Sequence, residues 1–279
     1  MNDLNDKVPV KSSTVQSVVV ASQLLELLAK NGRPQRVTDI AAFLGMTKAR
    51  VSRHLSTLSD LGLVARMPDN SGYRLGPALF RLSNAALDQY EITNIAYRYM
   101  VMLRNQVKES LLLAIPAAGD ALVVSTISSG KALSPNLVRG TRLGVPTSPT
   151  AYVILAFSPE HVRERVLARR CEHDLASIDL PSEMEVILDS ADVRAKSTLI
   201  QEQFYAYHDD PHSAGYSVVS APIFNHGERL EAALTVVMSR RAGLVSQEIR
   251  YLRQLKQTAV EISRALGSIE MANAMASTY

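Results

Sequence analysis

Four ionisable side chains lie close together in the C-terminal half of the sequence, where they could hold a metal ion. His208 and His212 are four residues apart, with Asp209 and Asp210 between them, and imidazole and carboxylate groups are common zinc ligands. Two histidines at this spacing share one face of a helix, but Pro211 argues against a helix here. A polar surface loop is therefore the favoured interpretation.

The only cysteine, Cys171, follows Arg169 and Arg170, whose positive charges favour a thiolate. His173 is close to it only in sequence, and no partner histidine can be identified that would activate a nucleophile. The chain also lacks a Gly-x-Ser-x-Gly elbow, a phosphate-binding loop and a dinucleotide-binding fingerprint. We therefore expect neither an enzyme nor a cofactor or metal site.

A second group of side chains is better suited to nucleic acid. From Thr47 the sequence predicts a helix to about Leu61, and Val51, Leu55 and Leu58 recur on one side of it. At 100° per residue the opposite side is polar and basic, as a helix needs to be to read a major groove. The residues predicted to contact DNA from this segment are Thr47, Lys48, Ala49, Arg50, Ser52, Arg53, Ser56 and Thr57.

These residues differ in the contacts they can make. Arg50 and Arg53 each suit a guanine edge or a phosphate, and the sequence leaves both open. Lys48 and the free N–H groups after Thr47 predict a phosphate site at the helix N-terminus. The alternative is a solvated basic helix in an ordinary helical domain.

The elements around this helix have the order of a winged helix-turn-helix. Residues 13–30 predict a first helix, which Asn31-Gly32 ends. A second helix is predicted over residues 39–44, with Thr38 as its cap and Gly45 at its end. Gly45 supplies the turn before the predicted recognition helix, where a positive φ is expected.

Two short β-prone runs on either side of residues 67–72 predict a hairpin, the wing. Arg66 and Arg74 flank its tip, and we expect them to reach the DNA backbone or minor groove. Residues 1–81 hold 11 basic and 6 acidic residues, a net charge of +5, and the rest of the chain carries −2. The wing, the order of the elements and this basic excess favour DNA binding over a solvated helix.

The remainder of the chain predicts an α+β fold. A pair of connecting helices spans residues 78–107, and the segments after it alternate between strand and helix patterns. The predicted strands are residues 111–115, 121–127, 217–224 and 230–238, and the predicted helices are residues 149–156, 159–169, 181–204 and 246–266. A length of 279 residues suits two domains.

Composition excludes several classes of protein. The longest apolar stretch near the start is interrupted by polar residues and cannot cross a membrane, and no secretory signal pattern precedes it. One cysteine excludes a disulfide framework. A cytoplasmic protein without a membrane partner is expected.

Taken in order, these motifs resemble the IclR family of bacterial transcriptional regulators, over roughly residues 13–267. No single short match is specific, but the ordered set covers both halves of the chain. The segments that carry the resemblance are Leu24-Leu25-Glu26-Leu27-Leu28, Asp39-Ile40-Ala41, Gly45-Met46-Thr47-Lys48, Arg53-His54-Leu55, Leu61-Gly62-Leu63-Val64, Tyr73-Arg74-Leu75-Gly76, Arg139-Gly140-Thr141-Arg142, Leu155-Ala156, Gly215, Ala221-Pro222-Ile223 and Ile262-Ser263-Arg264-Ala265-Leu266-Gly267.

The resemblance implies a winged helix-turn-helix domain, a linker helix used for dimerisation and a GAF-like α+β effector-binding domain. It also implies a homodimer or homotetramer whose paired DNA domains read an inverted-repeat operator in double-stranded DNA. The expected organisation is a flexible tail over residues 1–11, the winged domain over 12–76, the linker and dimerisation segment over 77–108, the GAF-like domain over 109–268 and a C-terminal tail over 269–279.

The resemblance further implies an effector site in a cup over the sheet, beside the start of a helix. The helix start offers N–H groups to an anion, although Pro149 removes one donor. By position, the implied effector-binding residues are Ala132, Pro135, Ser148, Pro149, Thr150, His208, Tyr216, Val218, Thr235 and Val237. This mostly apolar set, with a few hydroxyls and one imidazole, suits a small organic acid, aromatic acids included.

Two positions depart from the family pattern. Ala151 and Tyr152 stand where the family usually has Gly-Lys, which bears on the size of the cup. His208 stands at a usually acidic position, where it could donate to a carboxylate, and its charge would vary near neutral pH. The alternative for each effector residue is plain packing or exposure to solvent.

A dimeric small-molecule signalling module that acts through a protein partner, without DNA, is the alternative function. The apolar face of the first helix and the segment 78–107 would serve such a module equally well. The basic outer face around Arg50 and Arg53 separates the two hypotheses and favours DNA binding.

Overall fold

The structure is a computed structural model that describes residues 15–31, 33–88, 91–131, 137–171, 190–209, 216–239 and 245–278. The chain divides into two compact units, Met1–Gln89 and Tyr90–Tyr279. The expected tail over residues 1–11 lies outside the described residues.

The first unit has the element order of a winged helix-turn-helix. Its elements are α1 (Gln16–Asn31), α2 (Val37–Phe43), α3 (Lys48–Asp60), β1 (Val64–Arg66), β2 (Tyr73–Leu75) and α4 (Ala78–Asp88). Leu24 of α1, Ile40 of α2 and Val51 of α3 are fully buried in one core. The three helices therefore share an apolar centre, as their repeats of apolar residues predicted.

The expected cap of α2 was wrong. The helix begins at Val37 after an extended Arg36, and Thr38 lies inside it. The Thr38 hydroxyl donates to the Asp39 carboxylate at 3.0 Å. A bond to the neighbouring side chain has taken the place of the predicted bond to the backbone.

The second unit is a six-stranded antiparallel sheet with helices on both faces. Its strand order is β5-β4-β3-β8-β7-β6. The elements are α5 (Glu91–Val107), β3 (Ser110–Ala117), β4 (Asp120–Ile127), β5 (Arg142–Leu143), α6 (Pro149–Ala156), α7 (Glu160–Cys171), α8 (Ser190–Gln203), β6 (Ala206–Asp209), β7 (Tyr216–Phe224), β8 (Leu230–Ser239), α9 (Val245–Ala265) and α10 (Glu270–Ala276). The predicted α+β class is confirmed.

Alternate residues of the strands enter two separate cores. On β3, Leu111, Leu113 and Ile115 join the core that α5, α9 and α10 cover. Leu112 and Ala114 join the opposite core, beneath α6, α7 and α8. The second core lies on the face where the effector site was predicted.

The connecting helix pair is divided between the two units. α4 belongs to the first unit, whereas α5 is an integral part of the second. Ile92, Ala96, Met100, Leu103 and Val107 of α5 are all buried in the core of the second unit. α5 is therefore a core helix as well as a connection.

Two other segments differ from the sequence-based expectation. The stretch containing His208 and Asp209, predicted as a loop, begins in the edge strand β6, which pairs with β7. Residues 269–279, predicted as a tail, contain α10, whose Ala272 and Met275 are fully buried. Pairing with β7 holds the first segment, and burial in the core holds the second.

Candidate DNA-binding helix and effector site

The start of α3 is fixed by a turn and a cap. Gly45 has a φ of +61°, a conformation that glycine adopts without strain. The next residue, Met46, donates its N–H to the Ala41 carbonyl at 2.9 Å. The Thr47 side chain then accepts a hydrogen bond from the Arg50 N–H at 3.4 Å and caps the helix.

The two sides of α3 differ sharply in burial. Val51 and Leu55 are completely buried and Leu58 is 5% exposed, so one side of the helix is packed in the core. All eight residues predicted to contact DNA from this segment are exposed: Thr47, Lys48, Ala49, Arg50, Ser52, Arg53, Ser56 and Thr57. The Thr57 hydroxyl donates to the Arg53 carbonyl at 3.1 Å, so its proton is used within the helix. The side of α3 that carries Lys48, Arg50 and Arg53 is free of packing within this unit.

The two wing arginines lie on opposite faces of the hairpin. In the register of β1 and β2, Ala65 pairs with Arg74 and Arg66 pairs with Tyr73. Successive pairs along a strand point to alternate faces. The structure therefore does not bring Arg66 and Arg74 to one surface, although both are exposed.

The wing is tied to the helical part of the unit through its backbone. Gln35 and Tyr73 exchange two N–H···O bonds, of 2.9 and 2.8 Å. A Cβ on Gly72 would lie 2.5 Å from the Gln35 carbonyl oxygen, and one on Gly76 would lie 2.2 Å from that of Gly62. Only glycine allows the backbone to approach this closely at the two positions.

The predicted effector helix α6 is central to its unit. All eight of its residues are buried. Ser148 caps it by accepting a bond from the Ala151 N–H at 3.4 Å, and Pro149 occupies the first turn, where its missing N–H costs nothing. At the other end the Arg163 guanidinium donates to the carbonyls of Ala156 and Ser158, a favourable place for a cation.

A chain of buried hydroxyls connects α6 to the sheet. The Thr150 and Thr235 oxygens are 2.9 Å apart, and Thr235 donates to the Ser220 oxygen at 2.9 Å. The exposed fractions are 1% for Thr150 and 0% for Thr235 and Ser220. Two residues predicted for the effector site, Thr150 and Thr235, are therefore in direct contact.

The strand residues predicted for the site form a row across the sheet. Val218 of β7 is paired with Val237 of β8, and the register places His208 of β6 beside Val218. Tyr216 and Val218 are partly buried and pack with the core that includes α6. Ala132 and Pro135 lie outside the described residues.

The two residues that depart from the family pattern serve the packing of α6. Ala151 is fully buried, and its N–H bonds the Ser148 cap. Tyr152 is 8% exposed, with the Lys196 ammonium 5.4 Å from the centre of its ring. An aromatic ring next to a cation from α8 thus replaces the lysine expected here.

The described ranges hold neither a membrane-spanning helix nor a metal-binding cluster. No described helix is long and apolar enough to cross a membrane. The described residues also contain no cluster of three or more His, Cys, Asp or Glu side chains placed to hold a metal ion.

Comparison with known families decides the identity of the fold. Residues 17–68 match the IclR helix-turn-helix domain, and residues 84–264 match the bacterial transcriptional regulator IclR C-terminal domain. The chain belongs to the IclR family. It is a DNA-binding transcriptional regulator, and the relatives that it matches are regulators rather than enzymes.

Individual relatives of this IclR-family regulator cover almost its whole length. The transcriptional regulator XynR of Escherichia coli is 25% identical over 253 residues, 91% of this chain and 98% of XynR. An IclR regulator structure from Alicyclobacillus acidocaldarius has a TM-score of 0.72 at 22% identity, covering 91% of this chain and 100% of that chain. An IclR homologue of Microbacterium hydrocarbonoxydans in complex with 4-hydroxybenzoate has a TM-score of 0.70 at 21% identity, with coverages of 90% and 98%.

Sequence reasoning missed Ser220 of this IclR-family chain. It is paired with Thr235 across β7 and β8 and shares the hydroxyl chain. Its position two residues after Val218 was a usable signal, because alternate strand residues share a face. A serine in an apolar strand was otherwise indistinguishable from a packing residue.

Proposed function

We propose that this regulator recognises its operator through the exposed side of α3. Lys48, Arg50 and Arg53 are exposed there, and Val51 and Leu55 anchor the opposite side in the core. A helix held in this way can enter a major groove without losing its packing. This separation of a buried apolar side from an exposed basic side carries the proposal.

The contacts along α3 differ in what they recognise. Lys48 is in the first turn, where the helix dipole and backbone N–H groups favour a phosphate. We assign Arg53 to a guanine edge because it lies in the middle of the exposed side, one turn beyond the phosphate site. The other proposed contacts are Thr47, Ala49, Arg50, Ser52, Ser56 and Thr57.

We propose that only one of the two wing arginines contacts DNA. Arg66 and Arg74 lie on opposite faces of the hairpin, so a duplex that lies against one face meets one of them. Comparison of Arg66→Ala with Arg74→Ala identifies that residue, because loss of a phosphate contact reduces the salt dependence of binding by about one unit of slope.

We further propose that a small organic acid, aromatic acids included, binds between the start of α6 and strands β7 and β8. The Thr150 N–H has no acceptor among the described residues, and an N–H at a helix start suits a carboxylate. Tyr216 and Val218 are partly exposed on the facing strand and suit an apolar or aromatic body. The Microbacterium homologue in complex with 4-hydroxybenzoate supports this class of ligand.

The remaining positions are proposed as further contacts of the same site. Ser148 is partly exposed beside Thr150 and offers a hydroxyl. The others are Ala132, Pro135, Pro149, His208, Thr235 and Val237. Thr235 and Val237 are almost fully buried, so we place them at the floor of the site.

We propose a homodimer or homotetramer on an inverted-repeat operator, because twofold protein symmetry matches a twofold DNA site. Phe80 and Leu82 of α4 are 76% and 53% exposed, and Val15 and Val18 near the start of α1 are 60% and 65% exposed. Exposed apolar side chains of this size favour a contact with a second subunit.

The DNA proposal is tested by selecting a binding sequence from a random pool of duplexes with the full chain. We expect tight binding to the selected duplex, weak binding to a scrambled one, and a steep loss with salt. Arg53→Ala should weaken specific binding by about 10- to 100-fold. The matched control is Arg165→Ala, which removes the same charge from an exposed position on α7 and should bind normally. Normal binding by Arg53→Ala would show that α3 is not the reading helix.

The ligand proposal is tested by calorimetric titration of aromatic acids, beginning with 4-hydroxybenzoate. The matched control ligand is 4-hydroxybenzamide, which has the same ring and no carboxylate. We expect an acid to bind and its amide to bind at least about 10-fold more weakly, because the charge-assisted bonds are lost. Equal binding of acid and amide would overturn the assignment of a carboxylate to the start of α6.

A further inference from the structure

The last turn of α5 is fastened to the loop that follows β4. Arg104 donates from Nε to the Ser128 carbonyl at 3.1 Å. Two residues after α5 ends, Glu109 forms an ion pair with Lys131, and the Glu109 side chain is 9% exposed. These two contacts and a hydrogen bond between Ser110 and Ser129 form what we call the α5 clamp.

The third bond of the α5 clamp comes from the start of β3. The Ser129 N–H donates to the Ser110 oxygen at 3.0 Å, and Ser110 is completely buried. Within the loop, Gly130 donates its N–H to the Ser128 hydroxyl and Lys131 donates its N–H to the Ser129 hydroxyl, both at 3.2 Å. The loop is thus ordered by its own serines and attached to α5 and β3 at successive residues.

One end of the α5 clamp touches the proposed effector site. Ser110 is paired with Val237 on β8, and Val237 is paired with Val218 on β7. A change at the site therefore has a direct route to Ser110 and the clamped loop.

The other end of the α5 clamp leads toward the DNA-binding unit. α5 begins at Glu91, immediately after the division between Gln89 and Tyr90. It is the first helix of the second unit along the chain. A helix transmits a displacement of its last turn to its first because its backbone bonds are continuous.

We propose that the α5 clamp passes the signal between the effector site and the DNA-binding unit. The proposal rests on the proposed function, since it needs both sites. A ligand regulates only if it binds the two arrangements of the protein unequally, and such coupling is reciprocal. Binding of DNA at the first unit must therefore alter the α5 clamp, and this consequence is measurable without knowing the effector.

The experiment measures amide hydrogen exchange in the full chain, with and without the selected duplex. The reporting amides are those of Lys108, Ser129, Gly130 and Lys131. In the wild type we expect saturation with duplex to change the exchange rates of these amides by about fivefold or more. Allosteric coupling at the lower end of its usual range changes an equilibrium constant by about this factor. Arg104→Met and Glu109→Gln should bind the duplex and lose this change.

Arg194→Met is the matched control, because it breaks an exposed ion pair with Glu164 between α7 and α8, outside the α5 clamp. It should keep the wild-type response.

Unchanged exchange in a wild-type protein saturated with duplex would overturn the clamp proposal and leave DNA recognition intact. A response that persists in both clamp variants would also overturn it. Failure of the wild type to bind any duplex would refute DNA recognition through α3, and the clamp proposal with it.

Discussion

The Thr150 and Thr235 hydroxyls share a hydrogen bond of 2.9 Å that joins the first turn of α6 to the middle of the sheet. Because the single Thr235 proton is donated to Ser220, Thr150 must be the donor to Thr235. The Ser220 oxygen then accepts at the end of the chain. These two hydrogen bonds attach α6 to the sheet at the proposed effector site.

Replacement of Thr235 by valine should destabilise the protein. Valine keeps the shape of the side chain but leaves the buried Thr150 hydroxyl without its acceptor, and a buried unsatisfied group costs about 1–3 kcal/mol. Urea unfolding measures this loss. Thr235→Ser, which keeps the hydroxyl and removes the methyl group, is the control for the chain of bonds. A free energy of unfolding that is unchanged in Thr235→Val would show that the hydroxyl chain contributes nothing.

Gly76 should tolerate no side chain, for reasons of space rather than of backbone angle. A Cβ there would lie 2.2 Å from the Gly62 carbonyl oxygen, so Gly76→Ala must displace the backbone at the base of the wing. At Gly45 the φ is +61° but a Cβ would meet nothing within 4 Å, so Gly45→Ala should cost only the strain of that angle, about 1–3 kcal/mol. Chemical unfolding of the two variants compares them. An equal or smaller loss in Gly76→Ala would contradict the close approach.

Apart from the cap of α2, the first unit was predictable because its signals are local. The apolar repeat that ends at Leu58, the cap at Thr47 and the turn at Gly45 all lie within one short segment, and each acts on the backbone nearest to it. The two long hairpins of the second unit were predictable for the same reason. Their alternating strands are joined by short turns, at Ala118-Gly119 and at residues 225–229.

Two segments that depend on tertiary contacts were not predictable. β6 reads as a polar loop because His208 and Asp209 dominate its composition, yet β7 supplies a complete pairing partner. α10 depends on a contact more distant in sequence, since its N-terminus is fixed by Glu228, 41 residues before Ile269. Tertiary contacts override weak local preference in both cases. The positions of the effector residues came from the family resemblance and not from local pattern.

Glu228 caps α10 with both carboxylate oxygens. They accept the Ser268 hydroxyl at 2.6 Å, the Ile269 N–H at 2.8 Å and the N–H groups of Glu270 and Met271 at 3.1 Å. The Ser268 hydroxyl, followed by the Ile269 N–H, lowers the pKa of Glu228 from 4.5 to about 2. The folded state therefore stabilises the charged carboxylate of Glu228 more than the unfolded state does.

The stabilisation by Glu228 should depend on pH in a definite direction. A carboxylate whose pKa is lowered on folding stabilises the protein fully above its unfolded value of 4.5, and this contribution is lost as pH falls through about 2. The Tm difference between wild type and Glu228→Gln should therefore narrow from pH 5 to pH 2. The control is Glu270→Gln, in the first turn of α10. A Tm difference that stays constant over this range would refute the cap.

Stability and DNA binding should be separable on α3. Leu55 is completely buried, so Leu55→Ala should cost about 2–5 kcal/mol in urea unfolding, from lost burial and the cavity it leaves. Arg50 is exposed, so Arg50→Ala should change stability by less than about 0.5 kcal/mol.

For affinity to DNA, we expect Arg50→Ala to have the larger effect of the two variants. Leu55→Ala, assayed where it is folded, should keep most of its affinity for the selected duplex, whereas Arg50→Ala should lose affinity, because only Arg50 lies on the exposed side. A stable Arg50→Ala variant with full affinity for the duplex would show that Arg50 does not contact DNA. If both variants lost both stability and affinity, α3 would not be divided into a packing side and a side that reads DNA.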